Sequence, residues 1–181
     1  MLKTKKALIF CVLINSIACI ACNSDSLGKQ FDNLYRTSPL LSLPIAYSES
    51  FLDSIKFIEV PETLFSIFDF NDYALYIAKL PEYKNVKIII AKVDSRSGET
   101  VLFLYTFVNN RLMNKLYIYG EGDAEYNGST AATSLTSFII ANNYDIRIKY
   151  SIIPPFESRD KEVNVERKTY IINEDGKFVK K

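Results

Sequence analysis

From Val86 to Ile152 the chain alternates between apolar runs and short polar breaks with a period that belongs to strands. The run VKIIIAKVD (86–94) is followed by the turn SRSGE, and TVLFLYTFV (100–108) returns from it. Asn109-Asn110 tolerates positive φ and suits a two-residue hairpin turn, which leads into RLMNKLYIY (111–119). A polar stretch then precedes LTSFIIA (135–141), Asn142-Asn143 offers a second two-residue turn, and YDIRIKYSI (144–152) follows. In that last run Tyr144, Ile146, Ile148, Tyr150 and Ile152 share one face, and Asp145, Arg147, Lys149 and Ser151 share the other. One side is core and the other is water. Pro154-Pro155 ends the strand, and after a charged loop KTYIINE (168–174), Asp175-Gly176 and KFVK close a final hairpin.

The strand at 100–108 is apolar on both faces, with Leu102 and Leu104 on one and Phe103, Tyr105 and Phe107 on the other. Such a strand is central, covered by N-terminal helices or by the sheet's own curl. Before Pro81 the pattern is irregular and punctuated by Pro39, Pro44, Pro61 and Pro81. There ESFLDSIKFI places Phe51, Leu52, Ile55 and Ile58 on one helical face, with Ser50 and Asp53 as a capping pair. Pro61-Glu62 suits the first turn of a second short helix through Phe68. Tyr73–Leu80 fits helix and strand equally. The expected fold is therefore α+β and mainly β, an antiparallel β-meander of about five to seven strands with one or two short N-terminal helices.

The N-terminus carries a different signal. Lys3, Lys5 and Lys6 precede an uncharged run from Ala7 to Ile20, then Ala21, then Cys22. The order of basic, apolar and small is that of a secretory signal peptide, and the run falls short of the roughly 20 apolar residues of a membrane span. With Cys after the small residue the segment resembles the lipobox of bacterial lipoproteins. The resemblance implies cleavage between Ala21 and Cys22 and acyl chains, palmitate among them, on Cys22. Ser-Ile-Ala before Cys19 makes Cys19 the alternative site. Two or more chains anchor stably where one binds marginally, at about 0.8 kcal/mol per methylene. Asn23 stands where some such proteins carry an inner-membrane-retaining Asp, so the outer membrane is favoured over the inner. The expected division is leader 1–21, lipidated N-terminus and polar tether 22–30, and a single globular domain 31–181.

Removing Lys3, Lys5 and Lys6 with the leader leaves 19 basic residues against 21 acidic ones, a formal charge of −2. No cationic run with interleaved aromatics advertises nucleic acid, and Lys177, Lys180 and Lys181 read as a solvated tail. All three cysteines (Cys11, Cys19, Cys22) lie in or beside the leader, so the domain carries no disulfide. The chain has no His, which removes Cys/His zinc sites, Ser-His-Asp and Cys-His nucleophiles and His acid–base catalysis.

GEGDAEYNGST (120–130) concentrates acids beside glycines. Extended backbone would put Glu121, Asp123 and Glu125 on one side, three carboxylates towards the six to eight oxygens calcium takes. The spacing matches no calcium loop, and the stretch reads as a solvated strand connection with no metal. A glycosidase-like carboxylate pair has no residues to set it apart. Asn127-Gly128-Ser129 matches the N-glycosylation pattern only formally. Asp25-Ser26-Leu27 and Asp53-Ser54-Ile55 resemble the acceptor for O-glycosylation of exported bacterial proteins, which marks Ser26 and Ser54.

The proline-punctuated first half, the acidic Gly-containing stretch, the Thr136–Ile140 strand and the terminal Asp175-Gly176-Lys177-Phe178 hairpin resemble a set of small uncharacterised bacterial lipoproteins. That resemblance implies no activity. The expectation is a membrane-anchored, non-enzymatic envelope module without a cofactor. It would bind an envelope protein rather than a glycan, since Trp, the best stacking residue, is absent. The alternatives are a carrier of a hydrophobic ligand inside a curled sheet and a carboxylate-based hydrolase.

Overall fold

In the computed structural model residues 26–48, 50–71, 74–94 and 98–181 are described. The leader with Cys19, Ala21 and Cys22 lies outside them, as does most of the expected tether. The chain divides into two units, Met1–Thr37 and Ser38–Lys181. In the first, residues 26–37 form helix α1, so the part of the expected tether from residue 26 onward is helical. Phe31, Leu34 and Tyr35 are buried on one face of α1, and Asp32, Asn33 and Arg36 are exposed on the other, the i, i+3, i+4 spacing of an amphipathic helix.

The second unit is built on strands. They are β1 (Ile45–Ala46), β2 (Ile58–Glu59), β3 (Leu75–Lys79), β4 (Lys87–Asp94) and β5 (Thr100–Val108). Then come β6 (Arg111–Tyr126), β7 (Ser129–Ile140), β8 (Ile146–Ile153), β9 (Val163–Ile172) and β10 (Phe178–Lys180). They pair antiparallel in the order β10-β9-β8-β7-β6-β5-β4-β3-β2, with β1 beside β7. The fold is mainly β, and its ten strands among the described residues exceed the expected number. Of the additions, β1 and β2 are two residues each, too short for period-2 patterning to announce them, and β3 falls in the stretch 73–80 that fits helix and strand equally.

The long strand β6 organises the unit. Its first half pairs with β5, from Arg111 opposite Val108 to Tyr119 opposite Leu102. Its second half pairs with β7, from Gly120 opposite Thr136 to Tyr126 opposite Ser129. One strand thus serves two layers, turning the corner at Tyr119-Gly120 as strands that switch sheets do. A Cβ on Gly120 would collide with the Tyr117 hydroxyl and lie 3.1 Å from Val101 Cγ1. A larger residue at that bend would have to push the Tyr117 ring aside.

Between the layers lies one core cluster. Ile88, Ile90, Leu102 and Leu104 from the first layer are buried in it with Phe138, Ile140, Ile146 and Ile148 from the second. Burying a side chain of this size contributes about 1.5–3 kcal/mol. The other face of the first layer is also covered. Phe68, at the end of a 3₁₀ segment Glu62–Phe68, packs edge-on against Tyr105 at 5.6 Å and Phe107 at 5.3 Å between ring centroids. Hence β5 is apolar on both sides.

Within the second unit the sequence expectations change at several points, β9 among them, which begins at Val163 rather than at residue 168. The expected helix around residues 49–58 is a single turn, α2 (Phe51–Ser54), without a side-chain cap from Ser50. Its Phe51 ring meets Phe138 edge-on at 5.4 Å, while Ile58 is already strand. The stretch 120–130 is a hairpin rather than a loop, with Asn127 at φ 50° and Gly128 at φ 78° in its turn; this is the Asn-Gly signal of a tight β-turn. At Asn142-Asn143 the loop has a third residue, because the positive φ (62°) falls on Tyr144. Lastly Ser151, assigned to the solvent face, is buried where the β8–β9 register shifts between Tyr150 and Ile152.

Candidate functional site

The outward face of the second layer is a grid fixed by strand register. Ile139 on β7 stands opposite Arg147 on β8, and Arg147 opposite Thr169 on β9. In the next row Ser137 stands opposite Lys149, and Lys149 opposite Arg167. Partners directly across a ladder share a face, so cations, hydroxyls and one exposed isoleucine occupy the same surface.

A groove of about 590 Å³ runs over this grid. Tyr47 and Ser48, after β1, form one side, and residues Arg159 and Glu162 of the β8–β9 connection form another. Among the described residues four cations of its lining face it (Arg147, Lys149, Arg159 and Arg167), with Glu162 as the acid among them. Two are matched. Lys149 Nζ donates to both Glu162 carboxylate oxygens at 2.9 and 2.8 Å, and Arg159 Nη2 donates to Glu121 Oε1 at 2.8 Å. Lys168 also belongs to the lining, but it stands opposite the core residue Ile148 and its side chain leaves on the other face, over the Tyr150 ring and 3.2 Å from Glu166 Oε1.

A polar network holds the wall. The Tyr119 hydroxyl donates to the Glu121 oxygen that Arg159 holds, at 3.1 Å. Tyr47 stacks on Tyr119 with centroids 4.3 Å apart, and their hydroxyls are 3.2 Å apart. Burial is the main cause that raises the Tyr119 pKa, reinforced by the Tyr47 hydroxyl and the Glu121 charge. Tyr119 therefore stays a neutral donor throughout the physiological range.

A second cavity of about 440 Å³ lies on the outer side of the first layer, lined by Asp69, Phe103 and Lys115 among others. Lys115 Nζ sits 4.0 Å from the Phe103 ring centroid, and desolvation lowers its pKa. Next to it the Tyr105 hydroxyl is buried with no hydrogen-bond partner among the described residues. Its pKa is raised, by desolvation first and then by Asp69.

No protein-family model, curated protein or solved structure matches this chain.

Cys22, Cys19 and the cleavage site at Ala21 lie outside the described residues. Ser26 is exposed at the start of α1 and accepts a hydrogen bond from Gln30 Nε2 at 3.3 Å. Ser54 is exposed at the end of α2, and its hydroxyl donates to the Phe51 carbonyl at 2.8 Å. Glu121 is engaged by Arg159 and Tyr119, and among the described residues no three His, Cys, Asp or Glu side chains are placed to hold a metal. Sequence reasoning found Arg147 and Lys149 as solvent-facing residues but not the groove. The missing part is Arg167, which lies between the expected charged loop (157–165) and the expected strand (168–174).

Proposed function

We propose that the chain is a lipid-anchored cell-envelope binding module, non-enzymatic, that engages an anionic partner through the β7–β9 groove. The anchor is Cys22, with Cys19 as the alternative, and the outer membrane is the favoured location. One observation carries the docking face: a concave surface faced, among the described residues, by four cations and one acid. Polar grooves of this kind steer and orient oppositely charged partners. The wall built from Tyr47, Tyr119, Glu121 and Arg159 supports the reading, because a fixed wall lowers the ordering cost of binding. The positive groove also shifts the expected partner from any envelope protein to an anionic envelope component.

The test uses the full chain in intact cells with a photo-cross-linking residue at Ser137. Adducts should form there and fall about tenfold, equivalent to ~1.4 kcal/mol, when Arg147→Glu and Arg167→Glu are added. Adducts from position 127 on the hairpin turn but none from Ser137 would overturn the docking face.

A further inference from the structure

Arg147 and Arg167 differ from the other cations of the groove. Among the described residues, Lys149, Arg159 and Lys168 are ion-paired, whereas Arg147 and Arg167 have neither ion pair nor hydrogen bond through their side chains. Asp145 shares the strand face with Arg147, but its carboxylate is taken by Lys181 Nζ at 3.3 Å and by Asn143 Nδ2 at 3.3 Å. We infer that Arg147 and Arg167 together take the phosphoryl group of a sugar or polyol phosphate ester. This deepens the proposed function and rests on the groove being the docking face.

Three features select that chemistry. The first is charge. Two guanidiniums without an ion pair among the described residues, Arg147 with only the lysine-held Asp145 charge near it, match a phosphate monoester, which carries about −1.5 to −2 near neutral pH. The second is geometry. Thr169 is opposite Arg147 and Lys149 opposite Arg167, so the two arginines are diagonal neighbours, about 7–8 Å apart at the backbone. Side chains of that length converge on one tetrahedral anion with several acceptor oxygens. A planar carboxylate would be filled by a single guanidinium fork. The third is the surrounding lining. Ser137 and Thr169 offer hydroxyls beside the arginines, and Tyr47 offers a ring at the groove's side. Hydroxyls and a tyrosine ring suit the polar edge and C–H face of a sugar. The volume of about 590 Å³ lies within the roughly 300–1,000 Å³ of small-molecule sites.

The experiment titrates the full chain in detergent with glucose 6-phosphate, glycerol 3-phosphate, inorganic phosphate and acetate. It follows the Nε–Hε resonances of Arg147 and Arg167 at fixed low salt. Vesicles of phosphatidylglycerol in phosphatidylcholine form a separate arm. Saturable shifts of both resonances with the two esters, in the range of about 0.1–1 mM, are expected. Acetate should bind at least about tenfold more weakly. Arg147→Lys with Arg167→Lys, followed like the wild type through the backbone amides of Ser137 and Thr169, keeps the charge but removes the forks, and should weaken ester binding about tenfold while leaving the fold intact. Binding equal to that of acetate, binding unchanged in the lysine variant, or response only to the vesicles or only to inorganic phosphate would each overturn the inference. Cross-linking at Ser137 that persists without ester binding would refute the phosphoryl ligand and leave the docking face standing. Loss of both would refute both.

Discussion

The Arg159 guanidinium donates to Glu121 Oε1 at 2.8 Å across 38 residues of sequence. It ties the β8–β9 connection to the β6–β7 hairpin and closes one wall of the groove. Both side chains are partly exposed, at 43% and 34%, and exposed ion pairs are worth about 0–1 kcal/mol after solvent screening. Arg159→Ala should therefore lower Tm by no more than about 4 °C. A thermal unfolding scan showing a loss of about 10 °C would mean that the connection is part of the core.

Gly120→Ala should be far more costly than its size suggests. The added methyl meets the Tyr117 hydroxyl and Val101 at the corner of β6, and overpacking of this kind costs about 1–3 kcal/mol. In a Tyr117→Leu background the hydroxyl is gone, so the penalty should shrink. A denaturant-unfolding cycle checks this, and strictly additive losses would contradict the corner as drawn.

The boundaries of β4 and β5 were legible because their apolar character is continuous and their ends are turns. Residues 86–94 and 100–108 were expected, against Lys87–Asp94 and Thr100–Val108. The Asn109-Asn110 turn was legible too, with φ of 49° and 62°. The second half of β6 was not. Acids and glycines are poor strand formers by propensity, and here backbone pairing to β7 overrides side-chain preference. Nor could the groove be read. Its grid depends on the register of β8 against β9 across the connection after Pro155, and no local signal sets that register. Arg147 was visible as a surface residue, but its relation to Arg167 exists only in the paired strands.

Two neighbours on β5 should respond oppositely to loss of a hydroxyl. Thr106 is fully buried and donates to the Gly176 carbonyl in the β9–β10 connection. Thr106→Val strands that carbonyl and should cost about 1–3 kcal/mol. The Tyr105 hydroxyl is buried without a partner among the described residues, so Tyr105→Phe should be neutral or stabilise by up to about 1 kcal/mol. Chemical denaturation of both variants checks the pair, and a loss above about 1 kcal/mol in Tyr105→Phe would show that its hydroxyl is satisfied.

Asp145 supplies a pH prediction. Its pKa is lowered, first by the Asn143 side chain and then by Lys181, with Arg147 adding to the effect. A carboxylate depressed on folding stabilises the native state above its unfolded pKa of about 3.9 and loses that contribution as pH falls through the native value. NMR titration should find the Asp145 midpoint below that of a model aspartate. Asn143→Ala should raise it, and a midpoint unmoved by the substitution would refute the assignment.

The claim on which the proposed function depends most is attachment to a membrane through Cys22. Metabolic labelling with a fatty-acid analogue tests it directly, provided that cleavage of the leader is scored in the same samples. The wild-type chain should carry label and be cleaved before Cys22. Cys22→Ser should carry none and stay uncleaved, because the lipoprotein peptidase acts on the acylated cysteine. Loss of label in Cys19→Ser with retention in Cys22→Ser would move the anchor three residues upstream. Label that persists when both cysteines are replaced, or a wild-type chain that takes up none, would contradict the account.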